Sequence, residues 1–316
     1  MTRPTNPRGT LGAATAMTCV GSLTAVSATI AGYPVFGGQA VRYAVAALIL
    51  FLVARFAARD GRRTRPTPRE WAYLTALAAT GLVAFNVCIV LATRDTGPAT
   101  IGTVIATVPI VMALAGPLLE RRRPAPAVVV SACVVTAGAA LANGLGGGTA
   151  RGLLLSLGAL GGEVCFSLLA VPVLPRLGPL RVSAYSAAIA APMLLVTGLV
   201  ADGRGVLRVP TGPEFAGLAY LSVVVTSIAF LIWYDALGRL GADRAGLFAG
   251  LIPVSAVATT MALGLGRPSA ADLAGAGLVA AGVVIGVRSP RPAAAPAPEP
   301  VPEPVEAGAP EGGRTL

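Results

Sequence analysis

The chain has no lysine and no histidine; all 24 basic residues are arginine. That excludes a lysine Schiff base, a histidine general base, a histidine metal ligand and a histidine proton relay. No GxxxxGK[ST] phosphate loop occurs, so the chain has no such means of hydrolysing a nucleotide. Charged residues make up only 12% of the 316 positions and aromatics 5%, whereas 55% are hydrophobic, mostly Ala, Val and Leu, and the mean hydropathy is +0.76. A soluble domain of this size needs far more polar surface. The four cysteines, Cys19, Cys88, Cys133 and Cys165, all fall inside apolar runs and none pair at metal-ligand spacing. They are expected to be buried, inert thiols rather than a disulfide framework or a zinc site. With no acidic pair set for a metal inside the apolar runs, the expectation is a protein without metal or cofactor and without enzymatic activity.

What is present is a series of long apolar runs. A helix needs about 20 such residues to cross a bilayer core of about 30 Å. Ten runs qualify, near 11–31, 36–56, 71–93, 97–119, 125–143, 152–174, 181–201, 214–237, 244–264 and 271–287. The fold class is therefore an all-α polytopic membrane protein with ten transmembrane helices. The first run follows Arg3 and Arg8 as a signal peptide would, but it is long, lacks a small-x-small cleavage site and is expected to be retained. Residues 289–316, rich in Pro, Ala and Glu, cannot build a core and are expected to form a disordered cytoplasmic tail. If the N-terminus lies inside, eighteen arginines fall on the cytoplasmic side and five (Arg94, Arg151, Arg204, Arg208, Arg267) outside, with Arg42 within a span. That bias predicts an N-in/C-in orientation and explains the +10 net charge by loops rather than by a nucleic-acid partner; the macroscopic partner is the lipid bilayer. Trp71 and Tyr73 fit an interfacial aromatic belt.

The chain also repeats itself. Shifted by 144 positions, Glu70 falls on Glu214, Gly97 on Gly241, Gly102 on Gly246, Pro109 on Pro253, Arg123-Pro124 on Arg267-Pro268 and Gly138 on Gly282. The expected organisation is a short cytoplasmic N-terminus (1–10), a first five-helix repeat (11–143), a second (144–288) and the tail (289–316). Five being odd, the second unit enters the membrane from the opposite side. Inverted repeats are a hallmark of alternating-access carriers, whose site lies between the repeats near the midplane. The stretches 40–50, 97–124, 162–190 and 234–268 resemble the drug/metabolite transporter superfamily, specifically its EamA-like members. The resemblance spans about 11–288 and implies a secondary carrier, commonly an exporter of metabolites, amino acids or drugs. Glu120 matches the family's acidic close to the fourth span, but Gly264 to Gly266 carry no acid, so the two halves do not supply equivalent carboxylates.

Several residues could carry the chemistry. Glu163 lies about 16 Å deep in the sixth span, near the midplane, with Ser156 and Ser167 on its face. An acid at that depth costs about 2.5–3.5 kcal/mol and usually faces a cavity or a partner. It would bind a substrate amine or carry a proton; alternatively it is a structural acid hydrogen-bonded between helices. Arg42, in the outer third of the second span, could attract a substrate carboxylate, pair with Glu163, or snorkel to the headgroups. Pro109 and Pro253 interrupt matched helices, freeing the carbonyls of Ile105 and Ala249, and predict a bend in each. Thr96, Thr100, Thr103 and Thr107 lie on one face of the fourth span, as a hydrated cavity wall or as packing hydroxyls. Asn86 adds an amide on the third span. Asp235 is expected to pair with Arg239 near the membrane surface, and Gly158/Gly162, Gly246/Gly250 and Gly282/Gly286 predict close helix packing. The leading expectation is a secondary carrier of a small-molecule substrate in a bacterial cytoplasmic membrane, with an intramembrane enzyme or a non-transporting subunit or receptor as rivals and a homodimer left open.

Overall fold

The computed structural model describes residues 6–57, 65–144, 147–264 and 267–289. The Pro/Ala/Glu-rich tail beyond 289 and the arginines at 59, 62 and 63 lie outside the described residues. Among the described residues, ten helices are long and apolar enough to cross a membrane: α1 (Pro7–Ser27), α2 (Val35–Phe56), α3 (Pro68–Ala92), α4 (Pro98–Leu119), α5 (Pro126–Asn143), α6 (Ala150–Leu168), α7 (Leu174–Val206), α8 (Gly212–Leu240), α9 (Ala242–Ala262) and α10 (Ala270–Arg288). The chain is a multi-pass membrane protein. The largest departure from the sequence expectation is at the α6/α7 junction. Pro172 cannot continue a helix, so α6 ends at Leu168 rather than 174, and α7 begins at Leu174 with Pro175 in its first turn. A break at Gly178, where φ is 73°, then redirects α7.

Helix starts follow from local chemistry. Thr67 and Thr211 each cap a helix that opens with a proline and a glutamate; Glu70 and Glu214 accept from the backbone N–H of Thr67 and Thr211 at 2.7 and 2.8 Å. Ser269 and Asp272 form a third such box at the start of α10.

The two five-helix repeats interlock rather than sit side by side. α1 packs on α8 and α9 while α6 packs on α3 and α4, and α2–α7, α4–α9 and α5–α10 pair across the pseudo-symmetry. Glycine permits the closest approach. A Cβ on Gly138 would stand 2.7 Å from the Gly275 carbonyl oxygen, and one on Gly275 would stand 2.5 Å from that of Gly138. The expected close packing holds at the paired glycines: Gly162 lies against the Thr80 carbonyl, Gly246 against Met112, Gly250 against Val135 and Gly286 against Ser131. Large apolar side chains such as Leu154, Val200 and Phe56 are exposed on the outer surface, as lipid-facing residues must be. The thiols depart from expectation: Cys19, Cys88 and Cys165 are only half-buried and Cys133 faces out of the bundle.

Besides α7, four spans are irregular, in two matched pairs. α3 carries a π-helical segment at Ala78–Ala84 and α8 one at Leu221–Ile228, equivalent positions to within one residue. α4 breaks between Ile105 and Val108, and α9 tightens to a 3₁₀ turn over Leu247–Gly250, each just before its proline. Both prolines therefore sit at an interruption, as expected.

Candidate functional site

Because ten spans cross alternately, α1 begins and α10 ends at one face, here the N-terminal face; the opposite one is the far face. Each face has a cavity. The far-face vestibule, about 430 Å³, is formed by the far halves of α3, α4 and α9 with α5 and α6, and Glu163 lines it together with Ile105, Asn143, Ile252 and Pro253. The N-terminal vestibule, about 390 Å³, is lined by Tyr234, Asp235 and Arg239 of α8, Glu120 after α4, and Ala242 at the start of α9. Asp235 accepts from Arg239 at 2.6 Å, as their spacing predicts.

A buried layer separates the two. Along α4 and α9 it is the stretch where Gly246 lies on Met112. Across α6 and α8 it is aromatic: Phe166 lies 4.7 Å from Phe230 and 5.1 Å from Tyr234, and Tyr43 of α2 lies 6.2 Å from Phe230, centroid to centroid. Trp233 donates to Ser167 at 3.2 Å and the Tyr234 hydroxyl points at the Phe166 carbonyl at 3.4 Å. Glu163, one turn before Ser167, lies within electrostatic reach of the Tyr43 and Tyr234 hydroxyls. No salt bridge among the described residues involves Glu163.

The structure separates residues that the sequence left free to meet. Arg42 is buried apart from Glu163; its Nε donates to Thr226 Oγ1 at 2.5 Å, its NH1 to Gln39 at 3.2 Å, and it stands 5.2 Å from the Tyr43 ring centre. It borders a small far-face cavity of about 130 Å³ that Glu163 does not line. Asn86 donates to the Leu82 carbonyl at 2.6 Å and reaches the Tyr43 hydroxyl. Ser156 is buried on its own Gly152 carbonyl at 2.8 Å. The threonine stripe turns to the loop after α5: Thr96 and Thr100 donate to the Gly147 carbonyl at 2.9 and 3.1 Å, and Thr103 to that of Gly144 at 2.8 Å. Thr107 donates to Val104 at 2.7 Å. None of the four threonines lines the vestibule, whereas Pro253 does; Pro109 is buried beside it.

Ion pairs not expected from sequence stand at both faces, and one at each joins the repeats: Arg176 with Glu70 and, at 3.3 Å, Arg151 with Asp95. At the N-terminal face Arg176, at the start of α7, grips Glu70 at the start of α3 and donates to the Arg65 carbonyl at 2.9 Å. At the far face Arg208 grips Glu214 at the start of α8 and donates to the Gly32 carbonyl at 3.1 Å, while Tyr33 donates to the Arg208 carbonyl at 2.8 Å. Hydrogen bonding to Glu214 pushes the Arg208 pKa up. Of the unexpected residues, Phe230 and Tyr234 could have been noticed by their i, i+4 spacing on α8; the ion pairs carried only the Glu70/Glu214 match.

The sequence profile of the EamA-like transporter family matches residues 7–144 and again 152–288. A curated relative, described as the uncharacterized transporter YetK of Bacillus subtilis (strain 168), is 25% identical over 252 residues, spanning 77% of this chain and 76% of that protein. A solved structure described only as the crystal structure of a protein aligns with a TM-score of 0.73 at 20% identity, over 88% of this chain and 95% of that one. That likeness concerns the fold alone.

Proposed function

The chain belongs to the EamA-like transporter family, and from that premise we propose a secondary active exporter that moves a small metabolite, amino acid or drug by alternating access. The observation that carries this reading is the pair of cavities facing opposite ends of the bundle across one buried layer, with Glu163 lining the far one. A carrier must present one site to each side in turn, and an inverted repeat gives two such states of similar energy. The matched π segments and proline breaks put irregular backbone where helices must bend against their neighbours. The N-terminal face is the cytoplasmic one in this proposal, on the strength of the arginine distribution, and the membrane is a bacterial cytoplasmic membrane. Glu163 couples the cycle: it holds a proton when no substrate is bound and releases it as substrate enters.

A thermal-shift screen of detergent-purified protein against amino acids, sugars, nucleosides and cationic drugs tests the proposal, followed by flux of each hit in proteoliposomes under a pH gradient. The expected result is a stabilising compound that the gradient drives across the membrane, with gradient-driven flux lost in Glu163→Gln. A compound that binds and never crosses would instead favour a non-transporting receptor or subunit.

A further inference from the structure

Among the described residues lining the far-face vestibule, Glu163 is the only ionisable side chain, and no cationic one stands beside it. Its other polar side chains are neutral and each donates to a carbonyl of its own helix: Thr93 to Val90 at 2.8 Å and Asn143 to Ala139 at 2.9 Å. The rest of the wall is aliphatic, with Ile89, Ile105 and Ile252 prominent. Arg42, the only arginine within the apolar core of a span by sequence, is turned into a different cavity and held there by Thr226, Gln39 and the Tyr43 ring.

Resting on the transport reading above, we infer that this vestibule takes a monovalent organic cation with an apolar body, and rejects zwitterions and anions of the same shape. A cationic headgroup at Glu163 supplies the counter-charge that the protein withholds, and its body replaces water along the aliphatic wall. A zwitterion brings its own carboxylate into the same low-dielectric space, with no arginine to meet it. That charge would stand unpaired and desolvated there. Of the substrate classes open to the chain, amino acids are therefore disfavoured and amines or quaternary ammonium compounds favoured.

Three probes of one shape but different charge decide this: phenethyltrimethylammonium, L-phenylalanine and 3-phenylpropionate. Each is measured for binding to detergent-purified protein by calorimetry and for counterflow in proteoliposomes, with wild type, Glu163→Gln and Glu163→Asp. The expected result is that the ammonium compound binds at least about tenfold more tightly than the other two. Its binding is lost in Glu163→Gln and partly kept in Glu163→Asp, which retains the charge. Equal or tighter binding of phenylalanine or phenylpropionate, undiminished ammonium binding by a folded Glu163→Gln, or binding of none of the probes overturns the cation assignment. Counterflow separates this from the parent reading. Ammonium binding without counterflow keeps the cation site and rejects the carrier, whereas counterflow of phenylalanine or phenylpropionate keeps the carrier and rejects the cation site.

Discussion

Arg42 sits in an apolar interior with hydrogen bonds from two of its nitrogens and an aromatic ring beside it, yet no carboxylate pairs with it among the described residues. A buried charge satisfied only by neutral dipoles is expensive, and an apolar side chain of similar length often serves stability as well or better. Arg42→Met is therefore expected to unfold within about 1 kcal/mol of wild type, or later, when its thermal unfolding is followed in detergent. Early unfolding by several degrees would mean that the guanidinium holds the α2–α8 contact together. Thr226 tests the same contact from the other side. Its hydroxyl accepts from Arg42 and donates to the Leu221 carbonyl five residues back at 2.9 Å, so Thr226→Val should cost about 1–3 kcal/mol, and less when Arg42 is already methionine. The double-mutant cycle measures that coupling. Both charged residues were visible in the sequence because ionisable groups are rare in apolar runs. Their separation was not, because it depends on how α2 and α6 are rotated about their axes. Opposite charge within the spans allowed Arg42 and Glu163 to be imagined as partners despite their different depths; Thr226, Gln39 and the Tyr43 ring hold Arg42 at a different cavity.

Helices carry the next layer of meaning, and here spacing was a better guide to where backbone breaks than to what side chains touch. Pro109 and Pro253 each remove an N–H from their helix, and both spans break just before them. The π segments gave no comparable signal, since one inserted residue per turn leaves hydropathy unchanged. The threonine stripe on α4 had the right periodicity for one face, but that face meets the carbonyls of Gly144 and Gly147, contacts made by a loop that periodicity does not describe. Pro253→Ala restores the missing donor to the Ala249 carbonyl. The expected outcome is a protein at least as stable that exchanges between its two open states more slowly, read as lower counterflow with unchanged binding. Helix contacts give a second test. Gly138→Val drives a side chain into the Gly275 carbonyl and should destabilise the α5–α10 pair by about 1–3 kcal/mol, whereas Gly161→Val, with nothing within 4 Å of its Cβ position, should be neutral. Thermal unfolding of the two variants in the same detergent provides the comparison.

At the scale of the whole molecule the fold is symmetric and the chemistry is not. Positions 144 apart from Glu163, Arg42 and Asn86 hold Cys19, Ser186 and Phe230, so each charged or amide group of the interior stands in one repeat only. On the transport proposal, duplicated backbone supplies two equivalent ways to open, and unduplicated side chains supply one substrate site for both. The ion pairs at the two faces keep the symmetry of position while breaking that of connection. Glu70 and Glu214 are equivalent, and each is part of a contact between repeats. At the N-terminal face the Arg176–Glu70 pair itself crosses from one repeat to the other, while at the far face Arg208 and Glu214 belong to one repeat and cross through Gly32 and Tyr33, and the ion pair that crosses is Arg151 with Asp95. On the alternating-access proposal, opening a face parts the repeats there, so the contacts at each face act as its latch. Breaking one latch should then favour the state open to that side at the expense of the other. With the native cysteines replaced, a single cysteine at Gly238 reports the N-terminal vestibule and one at Ala256 the far one. Glu70→Gln is expected to speed modification at 238 by a membrane-impermeant thiol reagent and slow it at 256, and Tyr33→Phe with Arg208→Ala to do the reverse. The N-terminal variant should give the larger shift, because the far face keeps a second link between the repeats, the Arg151–Asp95 ion pair. Faster modification at both positions in either variant would mean that the latches stabilise the bundle as a whole and do not set which side is open.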